Sequence, residues 1–382
     1  MLQIGGAEAR SKVLYKFNGG SDGAYPAGTL VMDKSGNLYG TTSGGGGSLA
    51  CGSENGCGTV FKIAPDGSES VLHAFQGGAD QGVPMAGLAM DREGNLYGTT
   101  FGGTGIGYGT VFKIAPDGTE TIMHSFGPGA DGQNPSAPMI MDKRGNFYGT
   151  TTAGGDYGKG TIFEIAKNGR EYVLWSFGAA GDGAVPSGGL FADKAGNFYG
   201  TTRDGGSETI YCGLGCGTVF EFTPNVKESV LWSFGSTESD GENPVGGVVA
   251  DASGNLYGVA AGGGAAGSGA VFSLAADGTE ILLHSFGQKS GIQPMAGVIL
   301  GRDGNLYGTN SFGGTGIGGT VYSLSPDGTN FRVVHNFIEA DDGHWPYAGV
   351  LAAGDILYGT TFEGGNTCPY TNQCGVVFAL RR

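Results

Sequence analysis

The residues best suited to chemistry in this chain sit in short segments that depart from their neighbours. In EADDGHWPY, residues 339–347, His344, Trp345 and Tyr347 follow Asp341 and Asp342, and Tyr370 lies a little further on in CPYTNQC. Aromatic rings with one apolar body and a polar tip, set beside carboxylates, can stack on sugar rings while the acids accept from hydroxyls. The competing reading of Trp345 is a plug packed beneath its own loop. In TTRDGG (201–206) and TTFEGG (360–365) the residues Arg203, Asp204 and Glu363 replace the small residues of the related TTSGGG and TTFGGT segments. Two such carboxylates could serve as general acid and base in a glycosidase-like or lyase-like site. A surface ion pair is the alternative.

A second group is repetitive. Asp22, Asp80, Asp131, Asp182, Asp240 and Asp342 recur at equivalent places, and the related segment QKSGIQP lacks the acid. Such a set could hold Ca2+, but none of the segments has a calcium-loop spacing, and an Asp before Gly is equally suited to closing its own turn. No metal site or cofactor is therefore expected, with Ca2+ the ion that such carboxylates could hold. His73, His124, His284 and His335 share one position with Tyr15, Trp175 and Trp232 in other copies, and read as fillers of a strand. GGSDG at 19–23 matches a nucleophile-elbow pattern, but it lies between strands where that device needs a strand-to-helix turn. The glycine-rich stretches 102–109 and 313–320 also lead into strands, so no helix N-terminus is available to cradle phosphate.

What positions these residues is a repeat. Gly-Asn-Leu/Phe-Tyr-Gly, or a decayed form of it, recurs at Tyr39, Tyr97, Tyr148, Tyr199, Tyr257, Tyr307 and Tyr358, with spacings of 58, 51, 51, 58, 50 and 51 residues. Periods of about 40–50 residues belong to propeller blades. The second copy reads MAGLAMD, LYGTT, TVFKIA and ETIMHSF, four alternating runs that predict antiparallel strands a to d, joined by Asp-Arg-Glu-Gly-Asn and Pro-Asp-Gly turns. Small residues open strand a, as at Ala86, Gly87, Gly246 and Gly247, which suits blades converging on an axis. A strand d stands alone at 12–17, and the chain ends on a strand c, GVVFAL. The expected fold is all-β: one domain over residues 1–382, a seven-bladed propeller of four-stranded antiparallel blades. Residues 12–17 then complete the C-terminal blade, and closure removes the exposed edges.

Composition narrows the partners. Of 382 residues, 81 are glycine and 14% are charged, against roughly 25% charged in an average domain. The net charge of −15 disfavours nucleic acid and anionic membrane surfaces. No run of about 18 apolar residues offers a membrane span, and the start MLQIGGAEARSK lacks the apolar core of a signal peptide. Six cysteines fall as three local pairs, Cys51 with Cys57, Cys212 with Cys216 and Cys368 with Cys374. Disulfides inside single repeats are the direct reading, and they imply an oxidising compartment. Zinc would have to gather pairs from separate repeats.

The composite GTVFKIAPDGTE, HSFGPGADGQNP and MDKRGNFYGTT resembles the GloVer-type tandem repeat of exported bacterial proteins, over nearly the whole chain. The resemblance implies a propeller-like repeat and a secreted, cell-surface or periplasmic location; it carries no activity over to residues here. Departures from the pattern are Gly301 in place of Asp, the Asn225, Val226, Lys227 turn, and the decayed seventh copy.

Shared positions serve the shared fold, so function belongs where copies differ: the face carrying the d–a and b–c loops, where three longer b–c loops hold the cysteine pairs. The leading expectation is a module binding carbohydrate or another small polar ligand through Trp345, His344, Tyr347, Tyr370 and Asp342. The alternatives are a polysaccharide-cleaving enzyme using Glu363, Asp204 and Arg203, and a rigid scaffold for a protein partner.

Overall fold

Strand a is two or three residues long in six repeats and ten in the fifth, whereas strands b, c and d alternate apolar and polar residues long enough to form a full ladder. In the computed structural model, which describes residues 11–382 apart from 52–54, 103–106, 209–211, 214, 224, 226, 238, 339, 367 and 369–372, each repeat is one antiparallel sheet ordered a-b-c-d. Blade 2 comprises Ala89–Met90, Leu96–Thr100, Thr110–Ile114 and Glu120–Ser125. Blades 1, 3, 4, 5 and 6 place strand b at Leu38–Gly44, Phe147–Thr151, Phe198–Gly205, Leu256–Gly263 and Leu306–Asn310, and strand d at Glu69–Ala74, Glu171–Ser176, Lys227–Ser233, Glu280–Ser285 and Arg332–Asn336. Blade 7 has strands a to c at Leu351–Ala353, Ile356–Thr361 and Val376–Arg381; its fourth strand is Ser11–Lys16. Ser11 pairs with Leu380 and Lys16 with Val376, so the first strand closes the ring on the last blade.

The repeated signature has a structural reason at each residue. Asp91 Oδ1 accepts from the backbone N–H of Glu93 and Asn95, and its Oδ2 accepts from Asn95 Nδ2 at 2.7 Å and Tyr97 OH at 2.9 Å. One carboxylate thus satisfies a turn and tethers the tyrosine two residues beyond it. The Tyr97 ring also lies between blades, 4.2 Å from that of Phe147. Where Gly301 lacks the acid, Asp303 takes over: Tyr307 and Asn305 donate to it, and Arg382 of the closing blade reaches it at 2.9 Å. The tethering by the tyrosine hydroxyl was not apparent in the sequence, because the pattern gives spacing without direction.

Blades are joined by a second aromatic device. The phenylalanine after each strand d meets, edge on, the strand-c aromatic of the next blade: Phe17 with Phe61, Phe75 with Phe112, Phe126 with Phe163 and Phe177 with Phe220 all lie 5.1–5.2 Å apart. These rings are buried and form the inter-blade core. In every blade the c–d pairing also slips by one residue; in blade 2, Ile122 pairs with Phe112 and His124 with Val111. Such a bulge re-aims the side chains beyond it. It puts His124, and its counterparts, on the face of the sheet opposite to Ile122.

Candidate functional site

The d–a loops end in a residue that no sequence rule anticipates in its conformation. Tyr25, Val83, Asn134, Val185, Asn243, Gln293 and Trp345, each immediately before a proline, have φ between 52° and 60°. A left-handed backbone costs a non-glycine residue roughly 1–2 kcal/mol, most of all β-branched Val83 and Val185. Hydrogen bonds hold it there. The N–H of Val83 donates to Cys57 O and its carbonyl accepts from Phe101 N; Trp345 N donates to Gly318 O and its carbonyl accepts from Phe362 N. Each such residue therefore clasps the b–c loop of one blade to strand b of the next.

At five of the seven junctions these side chains are valine, asparagine or glutamine. At the junctions of blade 6 with 7 and of blade 7 with 1 they are aromatic, Trp345 and Tyr25, and further rings gather beside them. Trp345 lies 5.5 Å from Phe312, Tyr347 lies 6.5 Å from Phe312 and 4.9 Å from Phe362, and Tyr25 stacks on Phe362 at 4.9 Å and 27°. Tyr25 is buried, while Trp345, Tyr347, Phe312 and Phe362 are half-buried. Tyr347 and Phe362 line an axial cavity of 550 Å3, together with Met85, Met295 and small residues such as Ser136 and Ser187. Tyr25, Phe312 and Phe362 escaped the sequence reading. Their signal was present in the pre-proline position and the position after strand b, each to be compared across all seven copies.

Of the residues singled out from sequence, four gather here. His344 and Glu363 are paired through their backbones, His344 N to Glu363 O at 2.7 Å and Glu363 N to His344 O at 3.0 Å. Burial holds the Glu363 carboxyl above its ordinary range, and burial followed by the Glu363 charge raises Tyr347. Trp345 and Tyr347 flank this pair in sequence. Asp342 is engaged elsewhere, 2.8 Å from His335 Nε2 of strand d, and Asp341 pairs with Lys16 at 2.6 Å. Arg203 grips Asp204 through two bonds of 3.1 and 3.0 Å. Asp204 occupies in blade 4 the position that Glu363 holds in blade 7: Ala184 pairs with Asp204, and His344 with Glu363. The two carboxylates therefore stand three blades apart in a ring of seven. Tyr370 lies outside the described residues.

The three cysteine pairs are disulfides within single b–c loops, with Cα atoms 5.3–5.4 Å apart. The acids of the d–a loops close their own turns: Asp80 accepts from Gln76 N, Asp131 from Gly127 N, and Asp240 from Gly235 N and Ser236 N. Among the described residues no helix is long and apolar enough to cross a membrane.

Comparison with known proteins agrees with this architecture. The chain is similar in fold to virginiamycin B lyase from Staphylococcus aureus, with a TM-score of 0.62 and 13% identity over 97% of this chain and 99% of that one. It is also similar to the extracellular domain of a putative hybrid two-component system from B. thetaiotaomicron, with a TM-score of 0.61 and 10% identity over 95% of this chain and 39% of that one. A putative 6-phosphogluconolactonase from Bacteroides uniformis gives a TM-score of 0.51 and 15% identity over 82% and 86%. At such identities the likeness is one of fold. No curated protein matches the sequence. The Gloeobacter/Verrucomicrobia repeat matches residues 47–246 and 212–382, most of the chain, and the protein belongs to that family.

Proposed function

We propose that this propeller is an exported binding module that takes a neutral carbohydrate, or a polar ligand with a similar apolar face, at the axial mouth bordered by blades 6, 7 and 1. The observation that carries the reading is the confinement of Trp345, Tyr347, Phe362, Tyr25 and Phe312 to one arc of the ring, at positions where the other blades carry small, aliphatic or polar residues with the exception of Phe101. Half-buried rings already packed against one another lose little entropy on stacking against a sugar. Glu363 and the His344 ring, both half-buried beside them, supply polar groups for hydroxyls. A net charge of −15 favours neutral ligands over anionic ones. Three disulfides suit an oxidising, extracytoplasmic location.

The test is affinity electrophoresis through gels cast with neutral and acidic polysaccharides, followed by calorimetry with oligosaccharides of whichever polymer retards the protein. Trp345→Ala is expected to weaken binding at least tenfold with an unchanged melting temperature. Affinity equal to wild type in Trp345→Ala and Tyr347→Ala would remove the aromatic arc as the site. Clearing of the polymer in the gel, abolished in Glu363→Gln, would establish the enzymatic alternative instead.

A further inference from the structure

The bulge in strand d gives its histidines a setting beyond that of strand fillers. His73 of blade 1, Asp80 of the loop leading out of that blade, and Glu120 at the start of strand d in blade 2 bring one nitrogen and two carboxylate oxygens within 4.8 Å of one another. His124, Asp131 and Glu171 repeat the arrangement one blade further on. Nε2 of His73 lies 3.6 Å from Glu120 Oε2 and 3.8 Å from Asp80 Oδ2. These distances are too long for hydrogen bonds. They are the separations of ligands sharing one ion, since a tetrahedral centre about 2.2 Å from each donor spaces the donors about 3.6 Å apart.

A further observation points to a ligand. The Asp80 side chain is only 10% exposed, yet its Oδ1 has no hydrogen-bond partner, and neither do His73 Nε2 and Glu120 Oε1, all of them buried atoms. His124 Nε2 and Glu171 Oε1 are likewise unsatisfied. Leaving such groups dry and unpaired costs roughly 1–3 kcal/mol each, and two neighbouring carboxylates add their mutual repulsion. The three positions vary independently from junction to junction: Asp22 with Glu69, Asp182 with Glu228 and Asp240 with Glu280 keep both acids without the histidine. Between blades 5 and 6 the histidine remains as His284, but the loop carries no Asp and the glutamate position is Phe331, whose ring stacks on His284 at 3.7 Å and 5°. At other junctions Trp175, Trp232 or Tyr15 stands where the histidine would be, and the His335 and Asp342 pair lacks the glutamate, its place being Ser11. Two of the seven junctions hold the complete set.

We propose that these two junctions each bind one divalent transition-metal ion of the Zn2+ class, through His73, Asp80 and Glu120 and through His124, Asp131 and Glu171. One imidazole with two carboxylates suits Zn2+ or Mn2+, whereas Ca2+ seeks six to eight oxygens. Each ion fastens strand d of one blade to strand d of the next. Three protein ligands leave a fourth position open, and at the second site Asp131 and Glu171 line a surface cleft of 610 Å3 with Tyr157 and Trp175, through which the position is reached. The cysteines are all in disulfides and do not compete for the ion.

The experiment uses the whole chain without a histidine tag, stripped with EDTA, reloaded with Zn2+, desalted and analysed by plasma mass spectrometry. Two ions per chain are expected in the wild type, one in His124→Gln, none in the double variant His73→Gln/His124→Gln, and two in the control His284→Gln. Co2+ loading should give visible absorption bands that vanish in the same series, and Zn2+ should raise the melting temperature of the wild type and not of the double variant. Glu120→Gln/Glu171→Gln, which leaves both histidines in place, should lose the ions as well and so separates loss of a ligand from damage by replacing histidine. Less than half an ion per chain in the wild type, loading that persists in either double variant, or retention of Ca2+ in preference to Zn2+ would overturn the assignment.

Discussion

Substituting alanine for Gly98, the glycine of LYGTT in blade 2, should destabilise the ring by a predictable amount. A Cβ at Gly98 would lie 2.5 Å from Phe112 Cζ, 2.8 Å from Leu88 Cδ2 and 3.1 Å from Phe112 Cε1. Carbon atoms in contact prefer about 3.5–4.0 Å, so the Phe112 ring has to retreat by about 1 Å. It has nowhere to go: it is fully buried and held edge on by Phe75 at 5.1 Å. Overpacking of this kind costs about 1–3 kcal/mol. Gly98 is not among the left-handed glycines, so alanine recovers about 0.4–1 kcal/mol through the unfolded chain, leaving a net loss of about 1–2 kcal/mol. Phe112→Leu opens the space that Cβ needs. In guanidinium unfolding, the double variant should therefore be more stable than the sum of the single losses by at least about 1 kcal/mol. Gly287→Ala, where the added carbon meets nothing within 4 Å, is the neutral control. Additive losses from Gly98→Ala and Phe112→Leu would show that the glycine is retained for some reason other than the ring lying over it.

Three further outcomes follow from the structure. Burial, then the charges of Asp22, Asp182 and Asp240, raise Glu69, Glu228 and Glu280 from 4.5 to about 7. Because the folded state binds these protons more tightly than the unfolded one, their stabilising contribution is complete below pH 4.5 and disappears as pH rises to about 7. Discounted for partial exposure, this amounts to on the order of 1 kcal/mol per group; the midpoint of denaturation should be higher at pH 5.5 than at 7.5, and a pH-independent midpoint in the wild type would contradict it. Replacing Cys51 and Cys57 by serine should cost about 2 kcal/mol, the loop-closure value for so short a ring, read as a lowered unfolding midpoint; no change would mean that the loop is held by its other bonds. Deleting residues 1–17 removes the strand paired with Val376–Arg381 and exposes that edge, so the truncated chain should lose its cooperative melt and associate on size exclusion; an unchanged monomeric melt would refute closure by this strand.

Much of the architecture was legible because a repeat writes its rules several times. The Asp-x-x-Gly-Asn turns, the alternation of LYGTT and TVFKI, and the unmatched strands at the two ends lead to seven blades and to closure by Ser11–Lys16, since period and turn chemistry are local properties that survive averaging over copies. The cysteine pairs were legible for the same reason: each lies within one loop. Direction was not legible. That Asp91 tethers the Tyr97 hydroxyl, that the phenylalanine after strand d meets the next blade's ring, and that a bulge turns His73 and His124 toward the carboxylates of their neighbours depend on twist and register between segments about 50 residues apart in the chain. Sequence alone determined which residues recur and which depart from the pattern, Trp345, Glu363 and Arg203 among them. Tertiary structure alone decided which departures meet: it gathered Trp345, Tyr347, Phe362 and Tyr25 into one arc, set Asp204 and Glu363 on distant blades, and drew His73, Asp80 and Glu120 from three segments to one point. Ring closure is the physical reason, because it fixes the angle between blades and so converts positions along a strand into positions around an axis.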